Sequence, residues 1–272
     1  MPYTAADVLA LKRETMLGAY YWGEENSWHP EHTSPIATAW AYGLLQELGA
    51  TEAADKAELY LWDKRPGGYW RNTYESAQVL MQLMPRLNLT EKMEPVLELQ
   101  VFGQTHLYTE LPIRKPVGLP QAEVALKNVG NTPLYLSAST ERWLDAPEAA
   151  GTDFTIRTRF AGDKQVLKRG EAIQLIAHVE VKKAAEYVMV EIPIPAGCTY
   201  EDKNRHWTEM HREYYRDRVV IFCRRLPEGE HQFTLNLQPR FAGTYTLNPA
   251  QVSLMYFPTF FGRSGMRQVE IR

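Results

Sequence analysis

The spacing of apolar residues changes along the chain, from a helical period to a strand period. Up to about residue 92 apolar residues recur every three or four positions, whereas from about Glu94 onward they alternate with polar residues. Because the two periods follow from the geometry of the helix and of the strand, a segment that carries one pattern does not fold stably as the other. The sequence therefore predicts an α+β multidomain protein with a helical N-terminal part followed by strands.

Helix start signals divide the first part into four helices. Thr4 with Asp7 three positions later makes an approximate capping box, Ser34 is followed by Pro35 in the first turn, and Asn72 caps the fourth helix. The third helix is predicted at about 52–63 and the fourth to end near Pro85. The residues expected to face inward are Val8, Leu11 and Thr15; Ile36, Trp40, Leu44 and Leu48; Ala53, Ala57 and Leu61; and Ala77, Leu80, Met81 and Met84.

Two loops between these helices, residues 20–33 and 64–71, are rich in aromatic side chains. They suggest helical hairpins whose loops face one side, as in stacked or circular helical repeats.

The strand part divides into two segments. Residues 93–145 contain alternating runs and a hairpin predicted with its turn at Gly130–Asn131. Residues 146–272 contain roughly seven short strands, which predict a β-sandwich. Its first strands should turn Phe154, Ile156, Thr158 and Phe160, and then Ile173, Leu175, Ala177, Val179 and Val181, toward the core.

Composition and charge exclude several classes of protein. With 44% hydrophobic residues over 272 positions the chain can bury a sizeable core, so it is not intrinsically disordered over most of its length. The formal charge of −3 argues against nucleic-acid binding through bulk charge. The sequence has no apolar run of about 18 residues, and its N-terminus lacks the layout of a secretory signal.

The charge is nevertheless uneven. Residues 1–95 hold 8 Lys or Arg against 13 Asp or Glu, and the remainder holds 22 against 20. The acidic helical part and the slightly basic strand part could therefore present complementary surfaces to each other.

Candidate chemistry is sparse. Cys198 and Cys223 are expected to stay reduced as core residues, although they could pair with each other. The loop at 20–33 offers a carbohydrate site, with Trp22 and Trp28 as stacking platforms and Glu24 and Glu31 as an acid and base. It could otherwise pack between helices, and its His29–Glu31–His32 cluster matches no fixed zinc spacing. We expect no metal and no cofactor.

Residues 208–265 resemble the extreme C-terminus of bacterial alpha-2-macroglobulins. The family pattern is matched in order by Arg216, Asp217, Arg218 and Val219; Leu226, Pro227 and Gly229; Gly243, Thr244 and Tyr245; Pro249 and Ala250; Met255, Tyr256 and Pro258; and Gly262, Arg263 and Ser264. The helical part is similar to the end of that family's thioester-bearing α/α toroid, through Arg65, Gly68, Trp70 and Thr73. The resemblance covers essentially the whole chain.

The resemblance implies three pieces. Residues 1–92 correspond to the end of the toroid, 93–145 to half of the small β domain into which it is inserted, and 146–272 to the last macroglobulin-like, immunoglobulin-like sandwich. It also implies a protease inhibitor that works by entrapment rather than an enzyme. Its partners would be proteases and the rest of a longer parent chain, and its location the periplasm or cell envelope.

The sequence departs from the family in one respect and offers one candidate site. No Cys-x-x-Gln thioester element is present, since Cys198 precedes Thr199-Tyr200-Glu201 and Cys223 precedes Arg224-Arg225-Leu226. Met255, Tyr256 and Phe257 would be a shield for a thioester elsewhere in the parent chain, or an ordinary core strand. A sugar-binding protein and a stand-alone interaction module with an open helical face remain the alternatives.

Overall fold

A computed structural model describes residues 3–24, 33–65, 70–86, 94–116, 124–132, 134, 136, 138, 140, 143–203 and 209–272. The chain forms two compact units. One joins residues 1–84 with 139–272, and the other consists of Pro85–Ala138. The helical part and the C-terminal strands therefore belong to one body.

The helical part contains the four predicted helices. They are α1 Ala5–Leu9, α2 Ser34–Glu47, α3 Thr51–Asp63 and α4 Thr73–Leu83, and a short hairpin of β1 Arg13–Glu14 and β2 Tyr20–Tyr21 lies between the first two. The predicted caps are confirmed. Thr4 and Asp7 form a complete capping box, Pro35 lies in the first turn of α2, and the Asn72 side chain accepts a hydrogen bond from the Glu75 amide.

The predicted inward face of α4 is wrong, and that of α2 is only partly right. In α2 Ile36 is buried and Leu44 and Leu48 are half-buried, but Trp40 is 55% exposed; in α4 Met81 is 62% exposed, and Ala77, Leu80 and Met84 are exposed as well. The buried residues of α2 and α4 are Ser34, Ile36, Thr38, Ala39, Ala41, Tyr42, Gly43 and Leu45, and Glu75, Val79 and Leu83. Apolar residues surround both helices, so periodicity alone could not tell which face packs inside this chain.

The described aromatic residues of the two loops lie inside the helical part. Tyr21 stacks on Tyr60 with ring centroids 4.9 Å apart. Trp70 is buried, and its indole N–H donates a hydrogen bond to the Leu61 carbonyl at 2.9 Å. These side chains therefore hold the helices together.

The C-terminal strands form three sheets. The strands are β6 Phe154–Phe160, β7 Val166–Leu167, β8 Ile173–Val181, β9 Ala185–Pro193, β10 Cys198–Tyr200, β11 His211–Tyr214, β12 Arg218–Leu226, β13 Gly229–Pro239, β14 Gly243–Leu247, β15 Gln251–Leu254, β16 Phe261–Arg263 and β17 Arg267–Ile271. They pair in the orders β10-β13-β8-β6, β11-β12-β9-β15-β16 and β14-β17-β7. All neighbours are antiparallel except β17 and β7. The roughly seven predicted strands are too few, because one predicted run is divided into β14 and β15 and because the short strands β7, β10, β11 and β16 carry too few residues to show an alternation.

The sandwich core follows the predicted alternation. Phe154, Ile156 and Phe160 of β6 are buried, and so are Leu175, Ala177, Val179 and Val181 of β8. They join the inner residues of β9 and β12 in one apolar cluster. Strands with one buried face reveal that face in the sequence, which is why this prediction succeeds.

The unit Pro85–Ala138 contains a three-stranded sheet in the order β4-β3-β5, formed by Gln104–Tyr108, Leu97–Val101 and Val124–Asn128. β5 pairs with β3 along its whole length. The second strand of the hairpin predicted around Gly130–Asn131 falls on residues that the structure describes only in part, so that prediction lies outside the described residues. Gly130 approaches the backbone of Glu94 and Val96 so closely that a Cβ at this position would collide with the Glu94 carbonyl oxygen.

Candidate functional site

The candidate motif Met255–Phe257 lies in a loop directly after a core strand. β15 ends at the buried Leu254, and the chain then turns outward. Tyr256 is 67% exposed and Phe257 is also exposed, while Met255 is half-buried. The alternative that these residues form an ordinary core strand is therefore wrong.

Tyr187 of β9 holds this loop. The Met255 amide donates a hydrogen bond of 2.8 Å to the Tyr187 carbonyl, and the Tyr187 and Tyr256 rings meet edge to face with centroids 5.3 Å apart. Tyr187 has a φ of +52°, in the left-handed region that side chains larger than glycine rarely adopt. Backbone strain of this kind persists only where the surrounding contacts hold the residue in place, and it is found most often at functional positions.

Beside the loop, a cavity of about 160 Å³ separates the helical part from the sandwich. Its walls are the turn after β1, the end of α3, the start of β9, and the ends of β12 and β15. The lining residues are Thr15, Met16, Leu17, Asp63, Lys64, Ala184, Ala185, Glu186, Tyr187, Arg225, Leu254, Tyr256 and Phe257. Two of the three residues of the predicted motif thus border the junction between the helices and the sandwich.

Charged groups lie on both sides of the cavity. Lys64, just beyond α3, forms an ion pair with Glu186 of β9. Desolvation and, secondly, the nearby Glu186 carboxylate raise the pKa of Asp63, while Lys64 lowers it. Because the folded-state pKa is raised, the ionised form of Asp63 weakens folding, and this penalty disappears as the pH falls through that pKa. Desolvation also lowers the pKa of Arg225.

The alternative sugar site receives no support from the described residues. Trp22 is only 7% exposed, its indole N–H donates to the Val8 carbonyl at 2.8 Å, and its amide donates to Thr38 Oγ1 at 3.0 Å. The predicted platform is therefore wrong for Trp22, which is a packing residue. Glu24 is exposed, and Trp28 and Glu31 lie outside the described residues.

The two cysteines are buried and free, as expected. Burial raises the pKa of Cys198 to about 11 and that of Cys223 to about 12. Both thiols are therefore protonated at neutral pH, which makes either a poor nucleophile.

The sandwich matches a known family. Residues 155–259 match the model described as the bacterial alpha-2-macroglobulin MG10 domain. This stretch belongs to that domain family. The match lies within the predicted sandwich at 146–272 and contains the Met255–Phe257 loop, so the resemblance predicted from the sequence is confirmed for the MG10 domain.

Solved structures of bacterial alpha-2-macroglobulins are similar to the chain at low identity. The Escherichia coli protein activated by porcine elastase is 15% identical, with 88% of this chain and 24% of that chain covered and a TM-score of 0.43. Native E. coli alpha-2-macroglobulin from domain MG7 to the C-terminus is also 15% identical, with 88% of this chain and 42% of that chain covered and a TM-score of 0.43. The Salmonella protein reacted with methylamine is 17% identical, with 91% of this chain and 18% of that chain covered and a TM-score of 0.43.

The chain thus spans less than half of each of these chains. At such identities and TM-scores, these similarities carry no conclusion about function. The chain matches no curated protein. Among the described residues, none of the helices has the length and hydropathy needed to span a bilayer.

Sequence reasoning missed the other residues of the junction, in both the helical part and the sandwich. Met16, Asp63, Lys64, Glu186 and Tyr187 carry no motif, and each is ordinary in its local context. The only available signal was the apolar pair Met16-Leu17, which follows the polar run at 12–15 and precedes Gly18. A turn that contacts another element would explain such a pair.

Proposed function

We propose that the chain is the non-catalytic C-terminal region of an alpha-2-macroglobulin-like inhibitor that entraps proteases. The observation that carries the proposal is the position of the Met255–Phe257 loop. It is an exposed aromatic segment of an MG10 domain, and it borders the junction with the helical part. Buried strands fix the base of the loop, while Tyr256 stays available to a group outside the domain.

In this proposal the chain acts as a scaffold with two surfaces. The helical part rests on the MG10 domain in one state and is released after the inhibitor is cleaved. Met255, Tyr256 and Phe257 cover a thioester that another part of a longer chain supplies, since the Cys-x-x-Gln element is absent from this sequence. Apolar side chains over a thioester would exclude water and delay its hydrolysis.

The partners would then be target proteases and the remainder of the longer chain. The helical part would be the end of an α/α toroid, and the protein would act in the periplasm or at the cell envelope, in defence against foreign proteases. No cofactor is needed, because entrapment depends on conformational change and on one acyl transfer.

The proposal is tested in a polypeptide that carries these residues behind a cleavable segment and a thioester domain. Entrapment leaves a bound protease active on small peptides but inactive on large proteins, so both activities are measured after mixing. Full loss of both activities, or no loss of either, would contradict entrapment.

Tyr256→Ala tests the role of the loop in the same polypeptide. We expect this variant to react with a small primary amine at the thioester about tenfold faster or more. A tenfold increase in rate corresponds to a fall of roughly 1.4 kcal/mol in the activation free energy. Phe241→Ala is the matched control, because Phe241 is a similarly exposed aromatic residue (66%) elsewhere on the MG10 domain. Equal rates for the two variants would show that the loop does not shield the thioester.

A further inference from the structure

The turn between β1 and β2 inserts a side chain from the helical part into the sandwich. Met16 is 8% exposed and belongs to the same buried apolar cluster as the inner strands of the sandwich. The turn is tight, because the Thr15 amide donates to the Ala19 carbonyl at 2.9 Å and Gly18 adopts a φ of +86°. Met16 is thus presented on a closed loop rather than on a flexible strand.

Backbone pairing fixes the position of this turn on the sandwich. The Met16 amide donates to the Ala184 carbonyl at 3.0 Å, and Thr15 forms a parallel bridge with Ala184. Ala184 directly precedes β9, the strand that carries Glu186 and Tyr187. The turn therefore extends the sheet at the position where the cavity begins.

Two ion pairs flank this contact, and their signs are crossed. Glu14 of the helical part accepts a hydrogen bond from Lys183 of the sandwich at 2.8 Å, while Lys64 of the helical part pairs with Glu186 of the sandwich. The Lys183 hydrogen bond is the main cause of the lowered pKa of Glu14, so Glu14 stays ionised at neutral pH. The sandwich thus presents a basic residue, Lys183, and an acidic residue, Glu186, three positions apart. Each of them pairs with a residue of opposite charge in the helical part.

We propose that Met16 and the two crossed ion pairs form a latch that fixes the register of the helical part on the sandwich. Met16 supplies the apolar anchor, and the ion pairs select the position. All four charged side chains remain partly exposed, so each pair adds little stability by itself. A displaced contact, however, would bring Glu14 toward Glu186 or Lys64 toward Lys183, and like charges disfavour it.

The latch deepens the proposed function, since it names the residues that would hold the junction until release. It is also a property of the 272-residue chain itself. It can therefore be tested without a protease or a thioester, and its failure would leave the entrapment assay above unaffected.

Disulfide trapping measures how often the turn is docked. In a Thr15→Cys/Ala184→Cys chain the two Cα atoms are bridge partners, a separation compatible with a disulfide. The rate of cross-linking under mild oxidation, followed by mass spectrometry of the unreduced digest, reports the docked population. Cys198 and Cys223 are buried and serve as internal references that should stay reduced.

Charge reversals in this background test the crossed pairs. We expect Glu186→Lys to slow cross-linking by about tenfold, and Lys64→Glu/Glu186→Lys to restore the original rate, because opposite charges are restored in reversed order. Glu171→Lys is the matched control, since it reverses one charge of the exposed Lys168–Glu171 pair of the sandwich, neither residue of which lines the junction cavity. Equal rates for all four chains would overturn the role of the ion pairs.

Two further variants test the anchor. Met16→Ser should slow cross-linking more than Glu186→Lys does, whereas Met16→Leu keeps the apolar volume and should retain the original rate. Circular dichroism establishes that each chain is folded before oxidation. If Met16→Ser unfolds the chain, Met16→Ala takes its place, and an unchanged rate in a folded Met16 variant would overturn the anchor.

Discussion

The helical part and the MG10 sandwich differ in how they use their apolar residues. The sandwich buries the face that its alternating sequence predicts, as at Ile156 and Val179. The helices leave exposed much of the face that their periodicity predicts, as at Trp40 and Met81. A strand displays its buried face in every second residue, whereas a helix that is apolar on two sides needs its partners to decide which side is inside.

Part of the exposed helical face lines a groove between α1, α2 and α4. Its wall includes Tyr3, Leu11, Trp40 and Leu44, residues that a self-sufficient domain normally covers. This groove agrees with the proposal that the helical part is one segment of a larger helical arrangement.

The largest expected contrast between the two regions concerns apolar side chains. Ile221→Ala, at a fully buried position of β12, should lower the free energy of unfolding by about 4 kcal/mol, since it removes buried methyl groups and leaves a cavity. Met81→Ala on α4 should change it by less than about 0.5 kcal/mol. Urea unfolding monitored by circular dichroism measures both, and a loss at Met81 as large as that at Ile221 would mean that the α4 face is covered.

A second contrast concerns ion pairs. The Glu209 and Arg212 side chains are almost fully buried in the sandwich, with Arg212 Nε 2.8 Å from Glu209 Oε2. Glu209→Gln should cost about 3 kcal/mol, because it leaves a buried guanidinium without its counter-charge. Glu52→Gln, which breaks the exposed Lys56–Glu52 pair on α3, should cost far less in the same urea assay, because water screens that pair. Similar costs would show that the two environments do not differ in solvation.

A smaller contrast concerns thiol reactivity. Met81→Cys should react with a disulfide reagent at pH 8 more than about a hundredfold faster than Cys198 or Cys223, because burial both blocks access and raises the pKa of the native thiols. For these acids the raised folded-state pKa means that stability is full below the ordinary thiol pKa and is lost as the pH rises toward about 11 to 12. Fast labelling of the native cysteines at pH 8 would show that the sandwich core opens readily.

The same contrast explains what the sequence could reveal. Local chemistry was sufficient for the helix caps, such as Thr4 with Asp7, and for the strand faces that begin with Phe154. The Met255–Phe257 loop was identified through a family resemblance, but only the structure shows that it is exposed. The junction residues Met16 and Glu186 could not be found, because they are brought together by tertiary packing between segments about 170 residues apart and neither segment carries a sign of its partner.

Methionine oxidation tests whether Met16 of the helical part is held in the sandwich while the apolar face of α4 that was predicted to pack inward stays exposed. The unmodified chain is treated with dilute hydrogen peroxide, and sulfoxide formation at each methionine is followed by peptide mass spectrometry. We expect Met81 and Met84 to oxidise at rates close to those of an unfolded peptide and Met16 to oxidise at least about tenfold more slowly. Oxidation of Met16 as fast as that of Met81 would contradict this expectation.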